Sequence, residues 1–261
     1  MARLRFAAVQ LLPLAALLVF WQLYCGVSQQ RAFYFGTPGM VLDTFWKDLV
    51  DGSLLSHLAV TGGEALAGFV LGNLAGAVLG LCLWYFPPVA KVSKPYLVAL
   101  GAVPVFALAP ITILWFGVGM GAKVILAFLA TVFVATGQAF RGAEQVDPLH
   151  LSRLRVYGAT RRQVFDFLLI PSAAVWMLAS LRLTIGSALL GAFIGEFIAA
   201  DKGLGYMIIR AAGLFDTPRV LVGVFTIVAI ALLVDRLIEV VEKRTLKWMP
   251  RASASAGHSY E

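Results

Sequence analysis

Residues 141–171, RGAEQVDPLHLSRLRVYGATRRQVFDFLLIP, form the longest polar interruption between the apolar runs of this chain. Asp147-Pro148 is typical of a helix N-cap followed by proline at the first helical position. Gly158 predicts the end of that helix, and Thr160 followed by Gln163 has the spacing of a capping box. The pattern therefore predicts two short helices that are separated at one glycine, the second of which runs to Pro171.

The first of these helices is basic and amphipathic, because Arg153 and Arg155 lie among the apolar residues Leu151, Leu154 and Tyr157. A helix of this kind fits the surface of an anionic bilayer. It fits a docking site on a protein partner equally well, and the residues alone leave both interpretations open.

The composition of the whole chain indicates an integral membrane protein. Its 261 residues are 60% hydrophobic and 13% charged, and the mean hydropathy is +0.86, which lies outside the range of soluble globular domains. Residues 65–90 and 95–122 are free of charge, and each run exceeds the roughly 20 residues that a helix needs to cross a bilayer. Residues 6–24 are too long for a typical signal-peptide core and predict an uncleaved first span.

The charges predict the topology. Arg3 and Arg5 place the start of the chain in the cytoplasm, and the six predicted spans leave 13 Lys and Arg residues inside and 6 outside. This excess faces the anionic membrane surface, so we expect no nucleic-acid partner. The predicted fold is all-α and polytopic, with both termini cytoplasmic and spans at residues 6–27, 57–83, 95–116, 124–140, 172–199 and 220–240.

Three regions follow from this topology. We expect an N-terminal span with an external interfacial segment in residues 1–56, a core domain in residues 57–248 that contains the loop 141–171, and a disordered tail in residues 249–261. A short interfacial helix should begin at Thr37-Pro38. Residues 84–94, 117–123 and 201–219 are predicted to be a cytoplasmic turn, an external turn and an external loop, and Thr217 should cap the last span.

Two features inside the spans predict local structure. Glycines recur every fourth residue from Gly68 to Gly80, which permits close helix packing in lipid. Pro104 and Pro110 predict a break in the third span. Freed carbonyls at membrane depth need protein or a water-filled cavity, so Val103, Pro104, Phe106 and Pro110 are candidates for a solute path, with a purely structural kink as the alternative.

Ionisable residues within the spans form the second set of path candidates: Glu64, Arg182 and Glu196. A charge at mid-bilayer costs on the order of 2.5–3.5 kcal/mol on insertion scales, so Arg182 should face a cavity or an acidic partner. Glu64 is one such partner.

Motifs for catalysis and metal binding are missing from the sequence. Cys25, Cys82 and the three histidines are scattered, and no phosphate-binding GxxxxGK[ST] loop is present. We expect no metal site, no cofactor on this chain and no enzyme activity. If ATP drives this protein, another chain must bind it.

The segments Tyr157-Gly158-Ala159-Thr160, Gln163-Val164-Phe165 and Leu169-Ile170-Pro171 resemble the cytoplasmic signature loop of ABC importer permeases. In that family the loop forms a coupling helix that sits in a cleft of the ATPase subunit. The family's Glu-Ala-Ala opening falls here on Ser152-Arg153-Leu154, so its acid is missing. The resemblance implies that the following residues contact the ATPase: Leu151, Arg153, Leu154, Arg155, Tyr157, Gly158, Ala159, Thr160, Gln163 and Phe165.

Further stretches between residues 37 and 248 resemble permeases for taurine, alkanesulfonates and nitrate, although Glu64 stands where that family more often has arginine. The resemblance implies a type I ABC importer fold in a bacterial inner membrane. The implied partners are two ATPase subunits carrying ATP and Mg, a second identical permease subunit, and a periplasmic or lipid-anchored solute-binding protein. The implied solute is small and anionic, with a vitamin or pyrimidine precursor as the alternative. A passive channel and an intramembrane enzyme are the other classes left open.

Overall fold

Helices account for nearly all of residues 2–245, which a computed structural model describes, apart from the side chains of 2–11, 14 and 245. No strand occurs among these residues, in agreement with the predicted all-α class. The helices are α1 Ala2–Gly26, α2 Gln29–Phe35, α3 Pro38–Val50, α4 Ser53–Tyr85, α5 Pro87–Gly101, α6 Val105–Phe116, α7 Met120–Glu144, α8 Pro148–Val156, α9 Arg161–Val164, α10 Ile170–Ile198, α11 Leu204–Gly213 and α12 Thr217–Thr245, with a π-helical turn at Phe165–Leu169 between α9 and α10.

Four helical segments of the described chain are long and apolar enough to cross a membrane: α4, α7, α12 and the continuous stretch from α9 to α10. Helices α5 and α6 form a bent pair that counts as a fifth span if the two are taken together. Helix α1 has an apolar stretch at Ala15–Gly26. The polytopic architecture is therefore confirmed, while the number of six spans stays a prediction.

The central layer is formed by α4, α7 and α10, and glycines set its spacing. Gly68, Gly72, Gly76 and Gly80 of α4 lie against the following residues of α7, in parallel register: Ala127, Thr131, Ala135 and Ala139. A Cβ atom at Gly76 would lie 2.5 Å from the Cβ of Ala135, well inside van der Waals contact. The predicted packing role of this glycine row is confirmed, because any side chain there would push the two helices apart.

The break in the third span is confirmed at Pro104. Pro104 immediately precedes α6, and the chain bends by 93° between α5 and α6. Pro110, by contrast, lies inside α6 without ending it. The predicted cytoplasmic turn at residues 84–94 is wrong for every residue except Phe86, because α4 runs to Tyr85 and α5 begins at Pro87. Proline at a first helical position is preorganised for the helix.

The start of the fifth span also differs from the prediction. The helix does not end at Pro171; the stretch from Arg161 to Ile198 is continuous, with the π-helical turn just before Pro171. There the Ile170 N–H donates to the carbonyl of Phe165. Because proline has no N–H to donate, a locally widened turn lets the helix pass through it without stopping.

Two further connections contain more helix than was predicted. Helix α7 begins at Met120, so Lys123 lies in a helix and not in the external turn. The loop 201–219 contains α11. Asp216 caps α12 by accepting a hydrogen bond from the Arg219 N–H at 3.2 Å. The Thr217 hydroxyl, the predicted cap, donates instead to the Phe33 carbonyl at 3.2 Å.

The helix expected after Thr37 is confirmed as α3. The Thr37 hydroxyl accepts a hydrogen bond from the Met40 N–H at 3.2 Å, and Pro38 opens the helix. Trp21 of α1 donates from its indole nitrogen to the Gly36 carbonyl at 3.1 Å, which joins α1 to this segment. The predicted tail at 249–261 lies outside the described residues.

Candidate functional site

Residues 141–171, called the signature segment below, are built around α8, and both ends of α8 are closed by local hydrogen bonds. At the start, Asp147 Oδ1 accepts from the Leu149 N–H at 2.8 Å. At the end, the Gly158 N–H donates to the Arg155 carbonyl and the Ala159 N–H donates to the Leu154 carbonyl, both at 3.0 Å. These two bonds define a Schellman motif, which needs a left-handed residue at its centre. Gly158 fills that place with φ of +77°, so the predicted glycine break is confirmed.

The capping box predicted at Thr160 is also confirmed. The Thr160 N–H donates to Gln163 Oε1 at 2.8 Å, and the Gln163 N–H donates to the Thr160 hydroxyl oxygen at 3.3 Å. Helix α9 continues through the π-helical turn into α10 as one stretch of 38 residues. A displacement of the signature segment would therefore reach the far end of a membrane-crossing helix directly.

The segment has one exposed side, which differs in part from the apolar face expected from the sequence. Val156 and Tyr157 are each 85% exposed. Leu151 and Leu154 turn inward, together with Ala159 and Phe165, onto a core formed by Ala143, Val164, Leu169 and Ala173. The available surface next to Gly158 is therefore made by Val156 and Tyr157, because the two leucines already hold α8 to the helices behind it.

Three cations of the segment differ in their surroundings. Arg153 and Arg155 are exposed and make no ion pair with any residue between 12 and 244. The Arg161 guanidinium lies over the ring of Tyr85, 4.5 Å from the centroid, and donates to the Tyr85 carbonyl. This contact attaches the signature segment to the end of α4.

Near the starts of α4 and α7 lies a buried ion pair. Glu64 Oε1 lies 3.2 Å from Lys123 Nζ, and the two side chains are only 2% and 5% exposed. The second oxygen, Glu64 Oε2, is buried without an aligned hydrogen bond within the described chain, and the Glu196 carboxyl group is a close polar neighbour of Glu64. The predicted pairing of Glu64 with Arg182 is therefore wrong, because Lys123 occupies that role.

Glu196 holds the turn into α11. Its Oε1 accepts from the Thr61 hydroxyl at 2.6 Å, and its Oε2 accepts from the Gly205 N–H at 2.7 Å. The Gly203 N–H donates to His57 Nδ1 at 3.0 Å. Gly203 has φ of +115°, and any Cβ there would overlap the Glu196 carboxylate. These contacts fasten α11 to α4 and α10.

Arg182 binds a different acid. Its Nη2 lies 3.0 Å from Glu242 Oε2 of α12, with side-chain exposures of 38% and 26%. The contact is an ion pair by distance and lacks hydrogen-bond alignment. It joins α10 to α12, so Arg182 has the acidic partner that its position required, supplied by a residue that the sequence did not single out.

The four candidates at the break form a separate group. Phe106 is 63% exposed, Pro104 and Pro110 are exposed, and Val103 is half-buried. The polar contacts of Glu64, Arg182 and Glu196 go to α7, α12, α4 and α11. No polar contact within the described residues joins the two groups, and lining of a solute path stays a prediction for both.

Sequence reasoning missed two buried charged residues, Lys123 and Asp48. A lysine shortly after a glycine-rich turn looks like a solvated loop residue, and only the start of α7 at Met120 turns it into the bundle. Asp48 was missed for a similar reason: it is 2% exposed and accepts two hydrogen bonds from Arg219, at 3.0 and 2.9 Å. Among the described residues, no group of three His, Cys, Asp or Glu side chains could hold a metal ion.

Comparison with known proteins identifies relatives along nearly the whole chain. The sequence profile of a family described as "binding-protein-dependent transport system inner membrane component" matches residues 72–247. The riboflavin transport system permease protein RibX of Chloroflexus aurantiacus is 34% identical over 240 residues, covering 90% of this chain and 88% of RibX. The putative aliphatic sulfonates transport permease protein SsuC of Bacillus subtilis is 30% identical, covering 91% of this chain and 86% of SsuC.

Solved structures agree on the fold. The MetNI methionine ABC transporter in an inward-facing conformation matches with a TM-score of 0.58 and 16% identity, covering 76% of this chain and 95% of the matched chain. An amino acid ABC transporter crystallised with histidines matches with a TM-score of 0.61 and 18% identity, covering 76% and 96% of the two chains. The expected type I importer fold is confirmed by this likeness.

Proposed function

This chain belongs to the family of binding-protein-dependent transport system inner membrane components, and we propose that it forms the path of an ATP-driven importer for a small organic solute. It is a multi-pass membrane protein of the ABC permease kind and not an enzyme, because ATPase activity lies in a separate subunit of such transporters. The proposal extends to the direction of transport, the solute, the number of subunits and the orientation of the chain in the membrane.

One observation carries the proposal. The basic helix α8 ends at the glycine hinge of Gly158, and the helix that begins at Arg161, directly after the hinge, is continuous with a membrane-crossing helix. Val156 and Tyr157 project from the segment, and the Schellman motif at Gly158 fixes the direction of the chain behind them. An ATPase that grips this surface would move α9 and α10 as one element. A passive channel needs no such element, which favours the importer over the channel.

The proposed assembly contains two copies of this chain, two ATPase subunits that bind ATP and Mg, and a periplasmic or lipid-anchored solute-binding protein. ATP-driven closure of the ATPases draws the two coupling segments together, and the spans reopen toward the binding protein. The chain lies in a bacterial inner membrane with both termini in the cytoplasm, because that orientation places the basic segment on the ATPase side.

Two solute classes remain in the proposal. The relatives are named for aliphatic sulfonates, which are anionic, and for riboflavin and formylaminopyrimidine. Arg182, the cation that could have attracted an anion, is paired with Glu242. This pairing weakens the case for an anionic solute and supports a vitamin or pyrimidine precursor as an equal candidate.

The test is reconstitution of the chain with its ATPase and solute-binding protein in proteoliposomes. ATP-dependent uptake of a solute that the binding protein retains is the expected result. Uptake that proceeds at the same rate without ATP would contradict the importer and support the channel. Binding of a sulfonate, riboflavin and a pyrimidine precursor to the isolated binding protein separates the two solute classes.

A further inference from the structure

A cavity of about 780 Å³ lies behind the signature segment, between the ends of α4 and α7, the start of α5, and the hinge from α8 to α9. It is distinct from the exposed surface of Val156 and Tyr157. Four cations line it, and they come from both sides: Lys91 and Lys94 from α5, and Arg155 and Arg161 from the signature segment. The cavity therefore lies between the broken span, through α5, and the signature segment.

The charges of this wall are not balanced. Lys94 pairs with Glu144 at 2.8 Å, and Glu144 is the only acid among the lining residues. Lys91 and Arg155 make no ion pair with the residues that the structure describes, and Arg161 contacts the ring and carbonyl of Tyr85 and no acid. Three of the four cations thus have no carboxylate partner, and this excess of positive charge attracts an anionic ligand.

The rest of the wall is apolar. Trp84, Phe140 and Ala90 line the cavity, and the next residues of α5 carry exposed apolar side chains, with Val89 at 53% and Val92 at 64%. Cations beside apolar groups in one cavity match a ligand with a charged head and an apolar body. Basic pockets between spans at a cytoplasmic surface bind anionic lipid head groups.

We propose that this cavity binds the phosphate head group of an anionic phospholipid, held by Lys91, Arg155 and Arg161. The acyl chains leave along the exposed apolar residues of α5. The lipid joins α5 to the hinge and thereby stiffens the connection between the ATPase contact and the broken span. This effect on coupling rests on the proposed function, whereas lipid binding itself does not.

The test is native mass spectrometry of the full chain, released from nanodiscs made of equal parts phosphatidylcholine and phosphatidylglycerol. The wild type should retain phosphatidylglycerol in preference to phosphatidylcholine. The double substitution Lys91→Gln with Arg155→Gln should lower the apparent affinity about 30-fold, the loss expected for two basic residues near a membrane surface. Arg153→Gln is the matched control, because it removes an exposed cation of α8 that does not line the cavity.

Equal retention of the two lipids by the wild type would overturn the proposal, and so would an equal loss in the Arg153→Gln control. Soluble glycerol phosphate supplies the same phosphate without acyl chains. If it displaces phosphatidylglycerol at comparable concentration, the assignment to a lipid is wrong. None of these measurements uses transport, so failure of lipid binding would leave the importer proposal standing.

Discussion

Gly158 combines a backbone requirement with open space around it. Its φ of +77° lies in the left-handed region, and no atom lies within 4 Å of the place where a Cβ would be. The position therefore restricts substitution through the backbone and not through packing. This separation allows the hinge to be changed without disturbing the core behind it.

We predict that Gly158→Val uncouples ATP hydrolysis from uptake. A left-handed conformation costs an L-residue roughly 1–2 kcal/mol, which is roughly a 5–30-fold loss in the population of the hinged form. Asparagine tolerates this backbone region better, so Gly158→Asn is the matched control and should retain most coupling. The measurement is solute uptake per ATP hydrolysed in the reconstituted complex. Wild-type coupling in the valine variant would show that the hinge is not needed.

The buried pair of Glu64 and Lys123 gives a stability prediction. Lys123→Met should lower the free energy of unfolding by about 3–5 kcal/mol, because it leaves the Glu64 charge buried without a partner. The double variant Lys123→Met with Glu64→Gln removes both charges and should recover most of the loss. Thermal unfolding of the three proteins in one detergent checks this order. A double variant as unstable as the single one would mean that the loss does not come from an unpaired charge on Glu64.

Arg182 and Glu242 should behave differently, because their contact is only partly buried and lacks hydrogen-bond alignment. We expect a double-mutant cycle of Arg182→Gln and Glu242→Gln to give a coupling energy of about 1 kcal/mol, the size found for polar contacts between membrane-spanning helices. If Arg182 also contacts solute, its substitution will reduce uptake far more than Glu242→Gln does. Equal uptake in the two single variants would assign Arg182 to a structural role alone.

Close packing of α4 against α7 can be tested at the glycine row of α4. Gly76→Ala should destabilise the protein by about 1–3 kcal/mol, because the new methyl group overlaps Ala135. Adding Ala135→Gly should restore part of the loss. Gly63→Ala, in the same helix with no atom within 4 Å, is the control and should be neutral or slightly stabilising. Equal effects of the two alanines would exclude close packing as the reason for the glycines.

The helices that the sequence predicted well are those with strong local signals. Asp147-Pro148 and Thr160 with Gln163 produced the caps that they predicted, because a cap is decided within four residues. The predicted spans at residues 57–83 and 124–140 became α4 and α7, because lipid requires every backbone group to be bonded within its own helix. The glycine spacing predicted a packing face without naming the partner helix.

Elements that depend on distant contacts were missed. Helix α11 has buried residues at helical spacing, Leu204, Met207, Ile208 and Ala211, yet its two glycines and position after a turn resembled a loop. The π-helical turn that carries the helix through Pro171 has no short sequence signal. The partners of Glu64 and Arg182 lie in other helices, so their pairings follow only from the packing of the bundle.

In the whole molecule, the charges lie at the two ends of the central layer and serve different purposes. Glu64, Lys123 and Glu196 are buried and fix the helices near the starts of α4 and α7. At the opposite end of the same helices, Arg153 and Arg155 of the signature segment are exposed and have no acidic partner among the described residues. The buried charges near the starts of α4 and α7 stabilise the fold, whereas the exposed cations of the signature segment are available to a partner.

This distribution leads to a prediction about assembly. The family's usual acid is missing at Ser152, and the exposed Arg153 lies beside Val156 and Tyr157 on the free surface of α8. The ATPase cleft that receives this surface should therefore be more acidic than is usual in the family, because unlike charges across an interface favour the correct partner. Arg155 contributes less to this contact, since it also lines the cavity behind the segment.

We expect Arg153→Glu with Arg155→Glu to weaken assembly with the ATPase, and Arg153→Glu alone to cause most of that loss. Acid-to-lysine changes in the partner cleft should partly restore assembly with either variant. Arg162→Glu is the matched control, because Arg162 is exposed on α9 and already pairs with Asp166 at 3.6 Å. The measurement is the yield of assembled complex at low salt, where exposed charges are screened least. An unchanged yield with Arg153→Glu would assign docking to Val156 and Tyr157 alone, since Leu151 and Leu154 are committed to the core.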